Sequence, residues 1–271
     1  VFFDRIPASR AIGAHRGVRS LAPENTLPAF ETAFASAAHF LEVDARLTKD
    51  GQVVVFHDDT PARTTDVARS PLAARATEHV DAFTLAELQS LDAGSWFAAA
   101  DPLGTVAGGE VAPQDAASFA GVRVPTLEEV LLLCRERDFP VNVEIKDHAG
   151  RPGHHAVTAA VLDVVARTGT RELTLLSSFN HLYLTQAAAL DPDIPRAALV
   201  EDRHPAGLLD YLLFLDVAAY HPDHAVTTPE LVRELLDDGL RVNLWTINDP
   251  AVAAAYPAEA GIITDFPQRL A

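Results

Sequence analysis

The sequence predicts a (β/α)8 barrel with a small insertion after a hairpin at its second strand. Three observations lead there. Short apolar runs of strand length alternate with amphipathic runs of helical length. Nine strand candidates can be counted, but two are joined by a link too short to cross over between parallel neighbours. And 271 residues, long for an ordinary domain, is a normal length for one barrel.

The first strand is Ala11–His15, followed by a helix whose apolar face is Leu27, Phe30, Phe34 and Ala38. Phe40–Leu47 and Val53–His57 come next, separated only by Thr48-Lys49-Asp50-Gly51-Gln52. Asp50-Gly51 signals a tight hairpin, so Val53–His57 is read as an antiparallel partner folded back on Phe40–Leu47. That fold-back brings His57 beside Glu42 and Asp44. Residues 59 to about 122 break the rhythm, with one clear helix from Thr84 to Leu91 and a remainder rich in Ala, Gly and Pro. They are read as an insertion over one barrel face, within a single domain spanning 1–271. Thr126-Leu-Glu-Glu129 is a capping box opening the next helix. The remaining strands are Val141–Lys146, Leu173–Ser178, Arg196–Val200, Val217–Tyr220, Arg241–Ile247 and Gly261–Thr264. Helical segments fall between them, including one on Val157, Val161 and Val164 and two opened by Thr228-Pro229 and Asp249-Pro250.

Composition restricts function. A formal charge of −17 repels nucleic acid and anionic lipid at long range, so an anionic substrate would need a local cationic site. No run approaches the length of a membrane span, which argues against stable membrane insertion. Lys49 and Lys146 are the only lysines and arginine supplies every other positive side chain; the two readings are coding bias and the retention of lysine where a compact ammonium matters. The single cysteine, Cys134, falls on the stripe Leu127, Val130, Leu131 and reads as a buried thiol. No secretory leader is evident; a cytoplasmic protein is expected, or an extracytoplasmic one if a leader has been removed. The oligomeric state is not legible.

The chemistry-bearing residues gather at strand ends. His15-Arg16-Gly17 directly follows the first strand, where barrel active sites are built. Alternation along Phe40–Leu47 puts Glu42, Asp44 and Arg46 on one face. Two carboxylates on either face of a barrel strand are costly unless paired or bound to a cation. The alternative is an internal salt bridge from Arg46 or Arg16. A third carboxylate, Glu144, shares a face with Asn142 and Lys146 on another apolar strand, and this favours one hard divalent cation, Mg2+ or Ca2+. Among eleven histidines, His15 and His57 end apolar runs at the rim of the carboxylates, and two imidazoles can divide acid and base work. His221 is a weaker rim candidate, His39 reads as structural, and His79, His148, His154, His155, His181 and His204 lie in polar or loop-like contexts that predict exposure.

Assembled, these segments resemble the glycerophosphodiester phosphodiesterase family. The likeness is densest over Ala14–Asp58, with AHRG, APENTLPAF and LEVDARLTKDGQVVVFHD, followed by RTT at Arg63–Thr65. Weaker echoes are VPTLEEVL at 124–131, NVEIK at 142–146, SSF at 177–179, LWTIN at 244–248 and GIITDFP at 261–267. The resemblance implies an α/β (TIM-type) barrel that hydrolyses glycerophosphodiesters to sn-glycerol 3-phosphate and an alcohol. By motif it implies acid/base roles for His15 and His57, and divalent-metal ligation by Glu42, Asp44 and Glu144. It also implies phosphate contacts from Arg16 and Lys146, a pocket-lining role for Trp245, and loop support from Asn25. Sphingomyelinase D-type and phosphatidylinositol-specific phospholipases are the nearest competing expectation, with Trp96–Ala100 as a candidate lipid-docking loop. A non-catalytic phosphate-binding barrel and a metal-dependent sugar isomerase are more distant ones.

Overall fold

The computed structural model describes residues 1–270. Nine strands are present: β1 (Ile12–His15), β2 (Phe40–Leu47), β3 (Val53–Val55), β4 (Val141–Ile145), β5 (Thr174–Ser178), β6 (Arg196–Val200), β7 (Ala219–Pro222), β8 (Arg241–Leu244) and β9 (Gly261–Thr264). Eight are parallel and close into a barrel, because β1 pairs with both β2 and β9. β3 lies antiparallel on β2, with Ala45 opposite Val55 and Leu47 opposite Val53, as the Asp50-Gly51 turn requires. Gly51 takes a φ of +74°, which suits glycine.

Helices pack outside the strands. Leu127–Glu136 and Val157–Thr168 bury Val130, Leu131, Cys134, Val161 and Val165 against the β2–β4 side. The Thr126–Glu129 box forms in full: the Thr126 hydroxyl accepts from the Glu129 N–H, and the Glu129 carboxylate accepts from the Thr126 N–H at 2.8 Å. Thr228 and Asp249 cap the N-termini of helices Pro229–Asp237 and Pro250–Ala254.

The lower lumen is plugged by Phe2, Phe40, Leu175, Ala197 and Ala219. Phe2 and Phe40 meet edge to face at 5.6 Å. Gly13 makes room for this plug, since a Cβ there would lie 2.4 Å from Phe40 Cζ. With the bottom closed by apolar side chains, the polar inward residues are confined to the C-terminal ends of the strands.

Residues 59–122 carry short helices, among them Leu85–Gln89, Trp96–Ala100 and Pro113–Ser118. They have their own small cores: Val67, Val80, Phe83, Leu88 and Leu91 pack on Val54 and Phe56, and Phe97 packs on Val111 and Ala116. Trp96–Ala100 is thus a packed helix, with Phe97 buried and Trp96 Nε1 donating to the Ala93 carbonyl. Phe97 is thereby withdrawn from the surface, while Trp96 is half-buried and Ala99 and Ala100 are exposed. No helix among the described residues is long and apolar enough to cross a membrane.

Candidate active site

Parallel register places the polar side chains level with one another. His15 pairs with Glu42, Glu42 with Asn142, and Asp44 with Glu144. Ligand oxygens of Glu42, Asp44 and Glu144 lie within 4.8 Å of one another, and all three residues are buried. A cleft of about 380 Å3 opens beside them, lined by His15, Arg16, Glu42, His57, Glu144 and Lys146, with Phe179, Leu199 and Trp245 farther along. The structure therefore brings together every predicted site residue, Asp44 lying immediately behind the cleft wall.

Each group has an identifiable support. Arg16 adopts a φ of +56°, which turns its N–H onto Glu42 Oε2 at 3.0 Å and its guanidinium onto Glu24 at 2.8 Å. Gly17, at φ +80°, sits so close to Ala29 that a Cβ would lie 2.7 Å from the alanine methyl. Asn25, also at positive φ, donates from Nδ2 to Asp44 Oδ2 at 2.7 Å. The PENT segment thus fixes a carboxylate of the cluster directly. Of the two alternative salt-bridge partners for these carboxylates, Arg46 turns instead to the His57 carbonyl and Asp59, whereas Arg16 places Nε 3.5 Å from Asp44 Oδ2.

The two imidazoles are oriented by carboxylates that sequence reasoning did not single out. His15 Nδ1 bonds Asp265 Oδ1 at 2.7 Å, and His57 Nδ1 bonds Asp58 Oδ1 at 2.8 Å. Each bond points the opposite ring nitrogen elsewhere and favours the tautomer with a proton on Nδ1. Arg63 forks onto Asp58 and Glu24 together, and Arg19 joins Glu24 to Asp265. These partners were visible as letters in HD, PENT, RTT and TDFP. Their roles depend on barrel closure, which sets β9 beside β1.

Electrostatics follow from this packing. Burial, then the charges of Asp44 and Glu144, push the Glu42 carboxyl well above the usual range. Burial acts to raise Asp44 too, but the positive charges of His57, Lys146 and Arg16 hold it far below its ordinary value. Lys146 Nζ lies 2.6 Å from Glu144 and 3.4 Å from Asp44, and those carboxylates outweigh burial to keep it charged. Burial, then Arg16, lowers His15, with Asp265 pulling the other way. Glu144 Oε1 is buried and, despite the nearby ammonium, receives no well-directed hydrogen bond. A buried cluster of three carboxylates, one of them driven toward protonation by its neighbours, fits a divalent cation.

Among the other histidines, His39 is structural, accepting from the Ile12 N–H at 3.0 Å. His221 is buried on Asn243 and lies outside the cleft lining. His148 departs from expectation: it is buried, with Nε2 facing the Leu47 N–H at 3.3 Å.

A family model described as the glycerophosphoryl diester phosphodiesterase family matches residues 15–269. A glycerophosphodiester phosphodiesterase of Caldanaerobacter subterraneus subsp. tengcongensis is 33% identical over 264 residues, covering 95% of this chain and 94% of its own. One from Bacillus altitudinis is 32% identical, covering 95% of both chains. A solved phosphodiesterase structure from Oleispira antarctica, in complex with the product sn-glycerol-3-phosphate, superposes with a TM-score of 0.82 at 29% identity, covering 99% of this chain and 96% of that one. Fold, full-length similarity and the ordered motifs around one cleft agree: the chain belongs to the glycerophosphoryl diester phosphodiesterase family.

Proposed function

We propose that this chain hydrolyses glycerophosphodiesters to sn-glycerol 3-phosphate and an alcohol, using one divalent cation, Mg2+ or Ca2+, and the imidazoles of His15 and His57. The observation that carries this reading is the triad Glu42, Asp44 and Glu144, with ligand oxygens within 4.8 Å, of which Glu42 and Glu144 line the cleft together with both histidines. These three residues would hold the cation, which would supply positive charge to a nonbridging phosphoryl oxygen. Arg16 and Lys146 bring cationic donors to the same cleft.

His15 is held toward its neutral form by burial and Arg16, so its ring can accept a proton from the attacking hydroxyl. Asp265 keeps that ring in one tautomer and stabilises the imidazolium once formed. His57 lines this cleft and also a neighbouring outer one, where a departing alcohol has room, so it is assigned the proton donated to the leaving oxygen. The same pair serves whether water attacks or a glycerol hydroxyl first closes a cyclic phosphate.

The test is a panel of glycerophosphodiesters with choline, ethanolamine, glycerol and inositol alcohols, assayed after chelation and with each cation restored. Turnover should vanish on chelation and return with Mg2+ or Ca2+. His15→Ala and His57→Ala should each lower kcat by roughly 100-fold or more with the fold intact. Full activity in excess chelator would remove the cation from the account, and hydrolysis of vesicle lipids alone would reassign the enzyme to the lipid-directed phospholipases.

A further inference from the structure

Lys146 stands where β4 leaves the sheet. The register there pairs Ala45 with Ile145, and the Lys146 N–H donates to the Ala45 carbonyl at 3.1 Å. In a parallel ladder the next rung would join the Leu47 N–H to the Lys146 carbonyl. That N–H meets a side chain instead: it donates to His148 Nε2 at 3.3 Å. The imidazole thus stands in for a backbone acceptor, and the chain turns away from β2 just after Lys146. Leu47 is buried, so without the imidazole its N–H would be left unpaired inside the protein.

His148 is itself held in place. Its backbone N–H donates to the buried Tyr183 hydroxyl at 3.0 Å. Gly153 lies against the ring, so that a Cβ there would sit 3.1 Å from Nδ1 and 3.3 Å from Leu47 Cδ2. Asp81, from the insertion, comes within 3.7 Å of Nδ1 and is fixed by Arg151, whose Nε donates to Asp81 Oδ2 at 2.7 Å. An Nε2 that accepts carries no proton, so the proton lies on Nδ1 and the ring is neutral, the form that burial and then the Arg46 charge favour. Just ahead of this anchor, the Lys146 ammonium lies 2.6 Å from Glu144 and 3.4 Å from Asp44 and lines the cleft. A lysine stem is flexible, so its charge is placed only as well as the backbone that carries it.

We propose that His148 is a positioning residue for Lys146: its Nε2 supplies the rung missing between β2 and β4 and so fixes the backbone from which the Lys146 ammonium reaches the phosphate. This rests on the phosphodiesterase reading above. It adds a residue outside the cleft lining that acts through one within it.

The test is a double-mutant cycle on the Mg2+-loaded protein, read as kcat/KM for glycerophosphocholine and as the Kd of inorganic phosphate. Lys146→Ala should lower kcat/KM roughly 10- to 100-fold, the loss of a hydrogen bond from a charged donor. His148→Ala should lower it roughly 3- to 10-fold and weaken phosphate by a similar factor, the loss of one neutral hydrogen bond. His148→Gln, whose amide oxygen can reach the Leu47 N–H, should stay within about twofold of wild type, while the shorter His148→Asn should behave as alanine does. In the Lys146→Ala background, His148→Ala should cost less than about twofold, because the ammonium it positions is gone. His148→Asn takes its place in the cycle if the alanine variant does not fold. A merely structural role would lower the thermal midpoint and cost the same in both backgrounds. Losses that multiply across the cycle, a His148→Ala enzyme equal to wild type, or a glutamine variant as impaired as alanine would overturn the assignment and leave the phosphodiesterase reading standing. Wild-type protein without turnover would overturn that reading and this inference with it, and an undiminished Lys146→Ala enzyme would remove Lys146 from both.

Discussion

Replacing Asp265 isolates the electrostatic support of His15. Asp265 is buried and accepts from His15 Nδ1 at 2.7 Å and from Asn248 Nδ2 at 2.8 Å, with Arg19 at 3.5 Å. Burial would raise its carboxyl, but the His15 hydrogen bond and charge, then Arg19, hold it well below the usual range, so it is ionised throughout the working pH range. Asp265→Asn keeps the shape and removes the charge; Asp265→Ala removes the hydrogen bond as well. A hydrogen bond to a charged group contributes about 1.5–3 kcal/mol, so losing it when His15 becomes an imidazolium should cost roughly 10- to 100-fold in kcat. The sign for pH is fixed. Burial and Arg16 already lower His15 and Asp265 opposes them, so removing Asp265 moves the His15 limb of the pH–rate profile to lower pH. The assay is kcat and kcat/KM for glycerophosphocholine across pH, with thermal unfolding as a fold control. A profile superimposable on wild type, with kcat within about twofold, would refute any action of Asp265 through His15.

Two further outcomes follow from the same contacts. Asn25→Ala removes the hydrogen bond to Asp44 and should weaken Mg2+ binding by roughly 10- to 100-fold; Asn25→Gly, which tolerates the positive φ, should show the same loss, and recovery by glycine would mean that backbone conformation was responsible. Glu24, despite burial that opposes ionisation, is drawn down to about 2 from an ordinary 4.5 by Arg63, Arg16 and Arg19. Because its folded value lies below its unfolded one, its contribution is complete above pH 4.5 and lost as pH falls toward 2, on the order of 3 kcal/mol. Urea midpoints between pH 5 and 2 should fall more steeply for wild type than for Glu24→Gln.

The barrel was legible because its signals are local. Alternation within Phe40–Leu47, the Asp50-Gly51 turn and the capping boxes each act over a few residues. Boundaries were less legible at the rim: β3 ends at Val55 and β8 at Leu244, and beyond them His57 and Trp245 line the cleft while Phe56 packs into the core of the insertion. The carboxylate triad could be anticipated from the strand period. Its supporting shell could not, since Asp265 and His15 are 250 residues apart and meet only when β9 closes on β1. Nor did sequence indicate that His148, in a loop-like context, would be buried against Leu47.

The imbalance between arginine and lysine acquires a physical meaning in this site. Arg63 makes two-pronged contacts to Glu24 and to Asp58, and Arg16 and Arg19 also engage Glu24. Forked contacts of this kind need a planar guanidinium, and they fix the loops that present His15 and His57. Lys146 is different: its ammonium is a point charge against Asp44 and Glu144, the oxygens a divalent cation would take. The connected network holds Glu24, Glu42, Asp44, Asp58, Glu144 and Asp265 against Arg16, Arg19, Arg63 and Lys146, an excess of two negative charges when every carboxyl, Glu42 included, is ionised and the imidazoles are neutral. Such a site repels a phosphodiester. One dication would offset that excess, and its hold on Asp44 and Glu144 would compete with that of Lys146, leaving the ammonium available to phosphate. On the proposed reading, Arg19 and Arg63 would build a fixed frame, and Arg16 and Lys146, which line the cleft, would be the positive charges within reach of the phosphate.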